Sequence, residues 1–186
     1  MIMSAETCNN DFKFCPLCGW TNIKNCNNRK WICNCGFELF NNVAAASWII
    51  IQDKLNNVLF EVRAKDPKKW FLSLPGWFIE PNEDLQIGTI RECREEIGLK
   101  VENLKYLCSY PNTYIYNNIE YKTCDIYFLV DIWDMLVKDI VDILSIQKSE
   151  ITKLEYYKIN TVGDIDKLPI AFESAKYALK YNLDNK

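Results

Sequence analysis

The apolar residues of this chain fall into short blocks with two different periods. Residues 43–52 and 58–65 are rich in β-branched and aromatic residues and predict two strands, with 53–57 as the turn between them. Residues 66–69 (Asp-Pro-Lys-Lys) form a polar loop before a further apolar stretch at 70–74. Residues 104–110, 121–132 and 154–159 read as three more strands, while 134–147 fits either a short helix or an extended loop. Leu168-Pro169-Ile170 leads into a terminal amphipathic helix over 171–181.

A helical period interrupts the strands. Ile90, Cys93 and Ile97 mark a buried stripe, the Pro81-Asn82-Glu83-Asp84 run supplies turn and cap residues, and Gly98 suits the left-handed exit. Glu92, Glu95 and Glu96 stand at i, i+3 and i+4, so they share one face, expected opposite the apolar stripe. Like charges at these spacings cost about 0.2–0.5 kcal/mol per pair. A divalent cation with oxygen ligands reverses that sign, because its charge dominates the local field. Three glutamates alone are more often a solvated helix face, so their surroundings decide.

Those surroundings resemble the Nudix hydrolase box, Gly-x5-Glu-x7-Arg-Glu-U-x-Glu-Glu-x-Gly-U with U a bulky apolar residue. Glu83, Arg91, Glu92, Glu95, Glu96, Gly98 and Leu99 are all in register, with Cys93 a small choice for the first U. The departure is Trp77, which stands where the box has its first Gly, so Leu-Pro-Gly-Gly becomes Leu74-Pro75-Gly76-Trp77. A Trp there predicts a loop that bends differently or carries strain. Trp77 is open to three readings: a platform for a nucleobase, a plug in a site that no longer turns over, or a side chain packed on the core.

The resemblance, from about Cys15 to the C-terminus, implies an α/β fold: a Nudix-type α/β/α sandwich with a mixed sheet. It implies Mg²⁺ or Mn²⁺ held by Glu92, Glu95, Glu96 and the carbonyl of Gly76, with Glu83 and Arg91 as a supporting ion pair. Glu92 is then either a ligand or the water-activating base. A further acid often comes from a late loop; Glu150 is the nearest candidate and Glu155 a weaker one, each equally readable as solvated. The implied reaction is hydrolysis of a nucleoside diphosphate linked to another moiety. NADH diphosphatases of this family carry a Ser-Gln-Pro-Trp-Pro-Phe-Pro element after the box. Here Ser109-Tyr110-Pro111 keeps only its Ser-x-Pro skeleton, which argues against NADH as the substrate without excluding it. Tyr110, Tyr114 and Tyr116 are candidates to line a base or sugar pocket, or ordinary strand tyrosines.

Cysteine adds a second site. Of nine cysteines, six precede residue 36, and Cys15-Pro-Leu-Cys18-Gly has the spacing of a zinc knuckle. With Cys33-Asn-Cys35-Gly it predicts a structural zinc ribbon of two short hairpins, ligands Cys15, Cys18, Cys33 and Cys35. Cys26 is an alternative for the tight second pair and Cys8 is spare. A disulfide framework is the competing reading, disfavoured because no leader-like segment marks the N-terminus. Zinc ribbons precede some Nudix domains, which gives the expected organisation: ribbon 1–40, Nudix domain 41–186. Cys93, Cys108 and Cys124 sit among apolar residues and read as core.

Composition excludes more than it assigns. Histidine is absent, so no His-dependent nucleophile pair or His-ligated zinc site exists. The net charge of −3 offers no global field for nucleic acid or anionic membrane, although Lys13, Lys24, Arg29 and Lys30 give the ribbon a modest positive bias. No apolar run is long enough to span a bilayer, and a cytoplasmic setting with a nucleotide-type small-molecule substrate is expected. A homodimer stays open. The alternative to an enzyme is a non-catalytic nucleotide-binding or regulatory module on the same fold.

Overall fold

The computed structural model describes residues 12–21, 23–116, 119–132 and 135–185. Contacts divide the chain into two units: one reaching to Val43 and taking in Thr113–Lys122, the other comprising Ala44–Asn112 and Thr123–Lys186.

In the first unit, β1 (Ile23–Cys26), β2 (Lys30–Cys33) and β3 (Glu38–Phe40) form an antiparallel meander in the order β1-β2-β3, so the two expected hairpins share their middle strand. Asn27 and Asn28 turn the first hairpin with φ of 55° each, a conformation Asn tolerates. Trp31 is fully buried on β2, with Phe12 edge-on to it at 4.7 Å. So few apolar side chains make a marginal core, and domains this small generally need a covalent or metal staple.

The second unit is built around β4 (Ala44–Gln52). The remaining elements are β5 (Asn57–Arg63), β6 (Leu72–Ser73), α1 (Leu85–Ile97), β7 (Lys105–Tyr116), β8 (Ile119–Asp131), α2 (Val137–Ile140), β9 (Ile151–Lys158), α3 (Val162–Asp166) and α4 (Glu173–Asp184). The sheet runs β6-β5-β4-β8-β7, with β9 paired along β5. β4 lies parallel to β8 from Ala44↔Thr123 to Gln52↔Asp131, while its neighbours elsewhere are antiparallel. The sheet is therefore mixed. A central parallel strand is covered on both faces, which is why 43–51 reads as one apolar block.

Each face takes a different layer. Ile49, Ile51 and Leu59 pack with Cys93 and Ile97 of α1, with Val137 and Ile140 of α2, and with Ile151. On the other face Trp48 meets Phe172 at 5.8 Å, Tyr127 donates its hydroxyl to Ser174, and Asn182 donates to Gln52. The result is the expected α/β/α sandwich. Among the described residues no helix is long and apolar enough to cross a membrane.

Several elements differ from expectation. β7 and β8 are a longer ribbon than 104–110 and 121–132, and β9 starts at Ile151 rather than 154. Of 70–74 only Leu72–Ser73 pairs as a strand, because Trp70 adopts a left-handed φ of 71°. The ambiguous 134–147 stretch contains the single turn α2. Helix α3 was not expected; it is closed by a capping box in which Thr161 and Asp164 bond each other's backbone.

One irregularity shapes the site. β5 pairs β9 along one edge, so its other edge is shared: β4 meets it at Gln52↔Val58, and β6 meets it at Glu61↔Ser73. On the N-terminal side of Gln52, along residues 45–49, β4 bonds residues 75–79 instead of β5. Ser47 N–H donates to Trp77 O, Ile49 N–H to Pro75 O and Ile79 N–H to Ala45 O. The Leu-Pro-Gly-Trp loop is a wedge that splits the sheet beside α1.

Candidate active site and cysteine cluster

Helix α1 starts where its cap predicts. The Asp84 carboxylate accepts from Ile87 N–H, and Gly98 closes the helix at φ 72°, its N–H donating to Arg94 O. At roughly 100° per residue, Glu92, Glu96, Thr89, Cys93 and Ile97 fall on one continuous arc, and Glu95 lies outside it. The structure follows that arithmetic: Glu92 and Glu96 are buried, at 9% and 7% exposure, and the Glu95 side chain is 56% exposed. The expectation that the glutamates lie opposite the apolar stripe is therefore corrected. Two of the three flank it and face the sheet.

The wedge loop meets them there. Gly76 has φ 133°, and a Cβ at that position would stand 2.1 Å from Ser47 O. Its N–H donates to Glu96 Oε2 at 2.8 Å. The left-handed requirement falls on Gly76; Trp77 is outside the positive-φ region, so the expected strain at Trp77 is absent. Trp77 is half-buried in an aromatic cluster, edge-on to Trp48 at 6.4 Å and to Phe78 at 5.4 Å. The Arg63 guanidinium lies over its ring at 5.7 Å and over that of Phe172 at 5.3 Å.

Arg91 ties loop to helix. It donates to both oxygens of Glu83, at 2.6 and 3.1 Å, to Glu92 at 2.7 Å and to Glu95 at 3.2 Å. These bonds hold the Glu83 carboxyl below its ordinary range, helped by the Glu80 N–H, and hold the Arg91 guanidinium protonated. Glu92 is nonetheless pushed up, because burial outweighs its bond to Arg91. Glu96 is pushed further, to about 8, by burial and by Glu92 and Glu150, against the opposing Gly76 N–H. Glu92, Glu95, Glu96 and Glu150 thus lie within electrostatic reach of one another along α1 and the strand end facing it.

Glu150 is near enough to Glu96 to raise it, while its own carboxylate accepts from Lys65 at 2.6 Å. Glu155 is engaged elsewhere, by Lys153 and the Tyr157 hydroxyl. Tyr110 rests against Tyr177 of α4 at 5.5 Å, on the sheet face away from α1, and so is not gathered with the carboxylates. Tyr114 is buried on β7 in the first contact unit, and the Tyr116 side chain and Cys8 lie outside the described residues. Sequence reading missed Glu61 and Arg63 of β5. The signal available was a Glu at an inward position of an otherwise apolar strand.

In the ribbon, the Sγ atoms of Cys15, Cys18, Cys33 and Cys35 all lie within 4.8 Å of one another. Cys15 to Cys35 is 3.9 Å and Cys18 to Cys33 is 3.7 Å. A tetrahedron with Zn–S bonds of about 2.3 Å has S···S edges of about 3.8 Å, so the donor set fits zinc. Cys26 is outside the quartet, its Sγ directed at Lys24 O. Cys93 and Cys108 are buried, and burial pushes their thiols up to about 12 and about 11, which suits core residues. We expect one zinc per chain by atomic absorption, and its loss in Cys15→Ser. Chelation is expected to abolish hydrogen-exchange protection in β1 to β3, because structural zinc supplies about 10–16 kcal/mol of folding free energy. Protection unchanged by a chelator would remove the zinc assignment.

The NUDIX domain family model matches residues 41–179. Among curated proteins, the chain is 28% identical over 116 residues to an NAD-capped RNA hydrolase of Schizosaccharomyces pombe, an alignment covering 54% of this chain and 31% of that protein. It is 34% identical over 76 residues to the NAD-capped RNA hydrolase NudC of Mycobacterium bovis, covering 41% and 24%. The matched region thus spans less than a third of these relatives' length. Among solved structures, a NUDIX hydrolase from Nitrosomonas europaea superposes with TM-score 0.63 at 22% identity, covering 94% of this chain and 92% of that one. The NUDIX domain of Shewanella oneidensis NrtR, crystallised with ADP ribose, gives 0.60 at 15% identity, covering 78% and 90%.

Proposed function

Given that the chain belongs to the Nudix hydrolase family, we propose that it catalyses divalent-metal-dependent hydrolysis of a nucleoside diphosphate linked to a second moiety. The observation that carries this reading is the Gly76 N–H donated to buried Glu96, which fixes the wedge loop against the carboxylate-bearing arc of α1. Residues 1–40 are read as the zinc ribbon, with ligands Cys15, Cys18, Cys33 and Cys35, and 41–186 as the catalytic domain.

The roles follow from placement. Glu92, Glu95, Glu96 and the Gly76 carbonyl would hold Mg²⁺ or Mn²⁺. When bound, such an ion neutralises diphosphate charge and lowers the pKa of a coordinated water. Arg91 and Glu83 act as a clamp, holding loop and helix in one geometry through the bonds described. Burial of Glu92 and Glu96 excludes bulk water, which strengthens each electrostatic contact. Water oxygen attacks one phosphorus, the bridging anhydride P–O bond breaks, and two monophosphate products leave. Trp77 presents a partly open indole beside the site and is read as a base platform.

Two relatives are named as NAD-capped RNA hydrolases, so the second moiety is best sought among dinucleotides and their RNA-linked forms. The test is release of monophosphate from a panel of NADH, ADP-ribose, FAD, dinucleoside polyphosphates, nucleoside triphosphates and NAD-capped RNA, with and without Mg²⁺ or Mn²⁺. Trp77→Ala is expected to raise KM about tenfold, with a smaller change in kcat, as loss of one stacking contact would. Nucleotide recovered intact after long incubation with either metal would instead identify a binding module.

A further inference from the structure

Glu61 is a charged residue where the fold has no ordinary use for one. Strand alternation puts it on the same side of β5 as Leu59, and Leu59 packs in the cluster with Cys93 and Ile97. Two residues further along, Glu61 faces the part of α1 that carries Glu92 and Glu96. It pairs across to Ser73 at the start of the wedge. Its exposure is 3%, and its Oε1 has no hydrogen-bond partner. Burying a lone carboxyl oxygen costs several kcal/mol unless a partner or ion satisfies it.

The nearby charges do not satisfy it. Glu96, Glu92 and Glu150 all repel a charge on Glu61, and burial adds to them; Arg63 opposes but is outweighed. Arg63 is also committed elsewhere, its Nε donating to Pro67 O and its plane lying against Trp77 and Phe172. The acidic cluster alone would not define a ligand site. The independent observation is this orphaned, buried oxygen on a different element, on the α1 side of β5 and within electrostatic reach of the same carboxylates.

We propose that Glu61 is a further ligand of the divalent cation at this site, supplied by strand β5 across from the Glu92 and Glu96 carboxylates of α1. This rests on the metal-dependent reading above. It gives the fold a reason to keep a carboxyl group beneath α1, and it makes metal binding join sheet to helix.

The experiment measures Mn²⁺ binding to the full chain by electron paramagnetic resonance, alongside melting curves with and without metal. Glu61→Gln is expected to weaken Mn²⁺ binding at least about tenfold. It should leave the metal-free protein as stable as wild type or more so, because one repelled charge is gone, and shrink the metal-induced rise in Tm. Binding within about twofold of wild type, a difference too small to be a lost ligand, would overturn the proposal. Glu96→Gln separates the two levels. If it weakens Mn²⁺ binding while Glu61→Gln does not, only the Glu61 assignment fails; if neither does, the metal-dependent reading fails with it. Should Glu61→Gln not fold, a Mn²⁺-soaked wild-type crystal decides: a Glu61 oxygen bonded directly to the ion supports the proposal, and one beyond its first coordination sphere overturns it.

Discussion

Gly76→Ala is expected to cost the protein more than about 3 kcal/mol and to abolish activity in whatever fraction folds. Two independent penalties meet at this residue. Its φ of 133° is a conformation L side chains rarely adopt, and an added Cβ would lie 2.1 Å from Ser47 O and 2.8 Å from Trp48 Cα. Both obstacles are backbone atoms of β4, which cannot rotate aside as a side-chain tip can. Relief requires pulling the wedge out of the sheet, which breaks the bonds from Ser47 N–H to Trp77 O and from Ile49 N–H to Pro75 O. The same movement withdraws the Gly76 N–H from Glu96. Gly163→Ala is the control: it lies in α3, and its nearest neighbour to a new Cβ is Thr161 Oγ1 at 3.7 Å. That variant should be neutral or slightly stabilising. Urea unfolding of the two variants checks the contrast, and wild-type stability in Gly76→Ala would show that the wedge is not seated as described.

The residues that could be read from sequence are those whose meaning is local. Asp84 and Gly98 bound α1 because caps act within one turn, and the apolar block of β4 follows from burial on both faces. The cysteine quartet was legible although Cys33 and Cys35 are a residue closer than the usual pair; the tight turn closed by Gly36 N–H on Cys33 O spans them. What escaped depends on partners distant in the chain. That β4 exchanges β5 for residues 75–79 cannot be seen in either segment alone, yet it explains why Gly76 rather than Trp77 carries the unusual φ. Motif register identified Glu92, Glu95 and Glu96 together, and the arc that α1 turns to the sheet separates two buried glutamates from one exposed. Glu61 was hidden for the same reason, since a single Glu in a strand usually faces water.

Glu96→Gln is expected to reduce turnover by about two to three orders of magnitude while preserving the fold, the scale associated with losing a principal electrostatic group of an active site. The substitution is close to isosteric. The glutamine carbonyl can still accept the Gly76 N–H now donated to Oε2, so the loop keeps its anchor and only the charge is lost. Stability should respond with a definite sign. Burial, reinforced by Glu92 and Glu150, raises the folded-state pKa of Glu96 from 4.5 to about 8. The folded protein therefore binds a proton that the unfolded chain releases between these values. Its contribution to stability is complete below about pH 4.5 and is lost as pH rises through about 8. Metal-free wild type should thus lose several degrees of Tm across that interval, and Glu96→Gln, with nothing to titrate there, should lose less. Saturating Mg²⁺ should flatten the wild-type slope, because a bound cation replaces the proton as the partner of the carboxylate. Equal slopes for wild type and Glu96→Gln, together with retained turnover, would place both the buried charge and the hydrolytic step somewhere other than on this arc of α1.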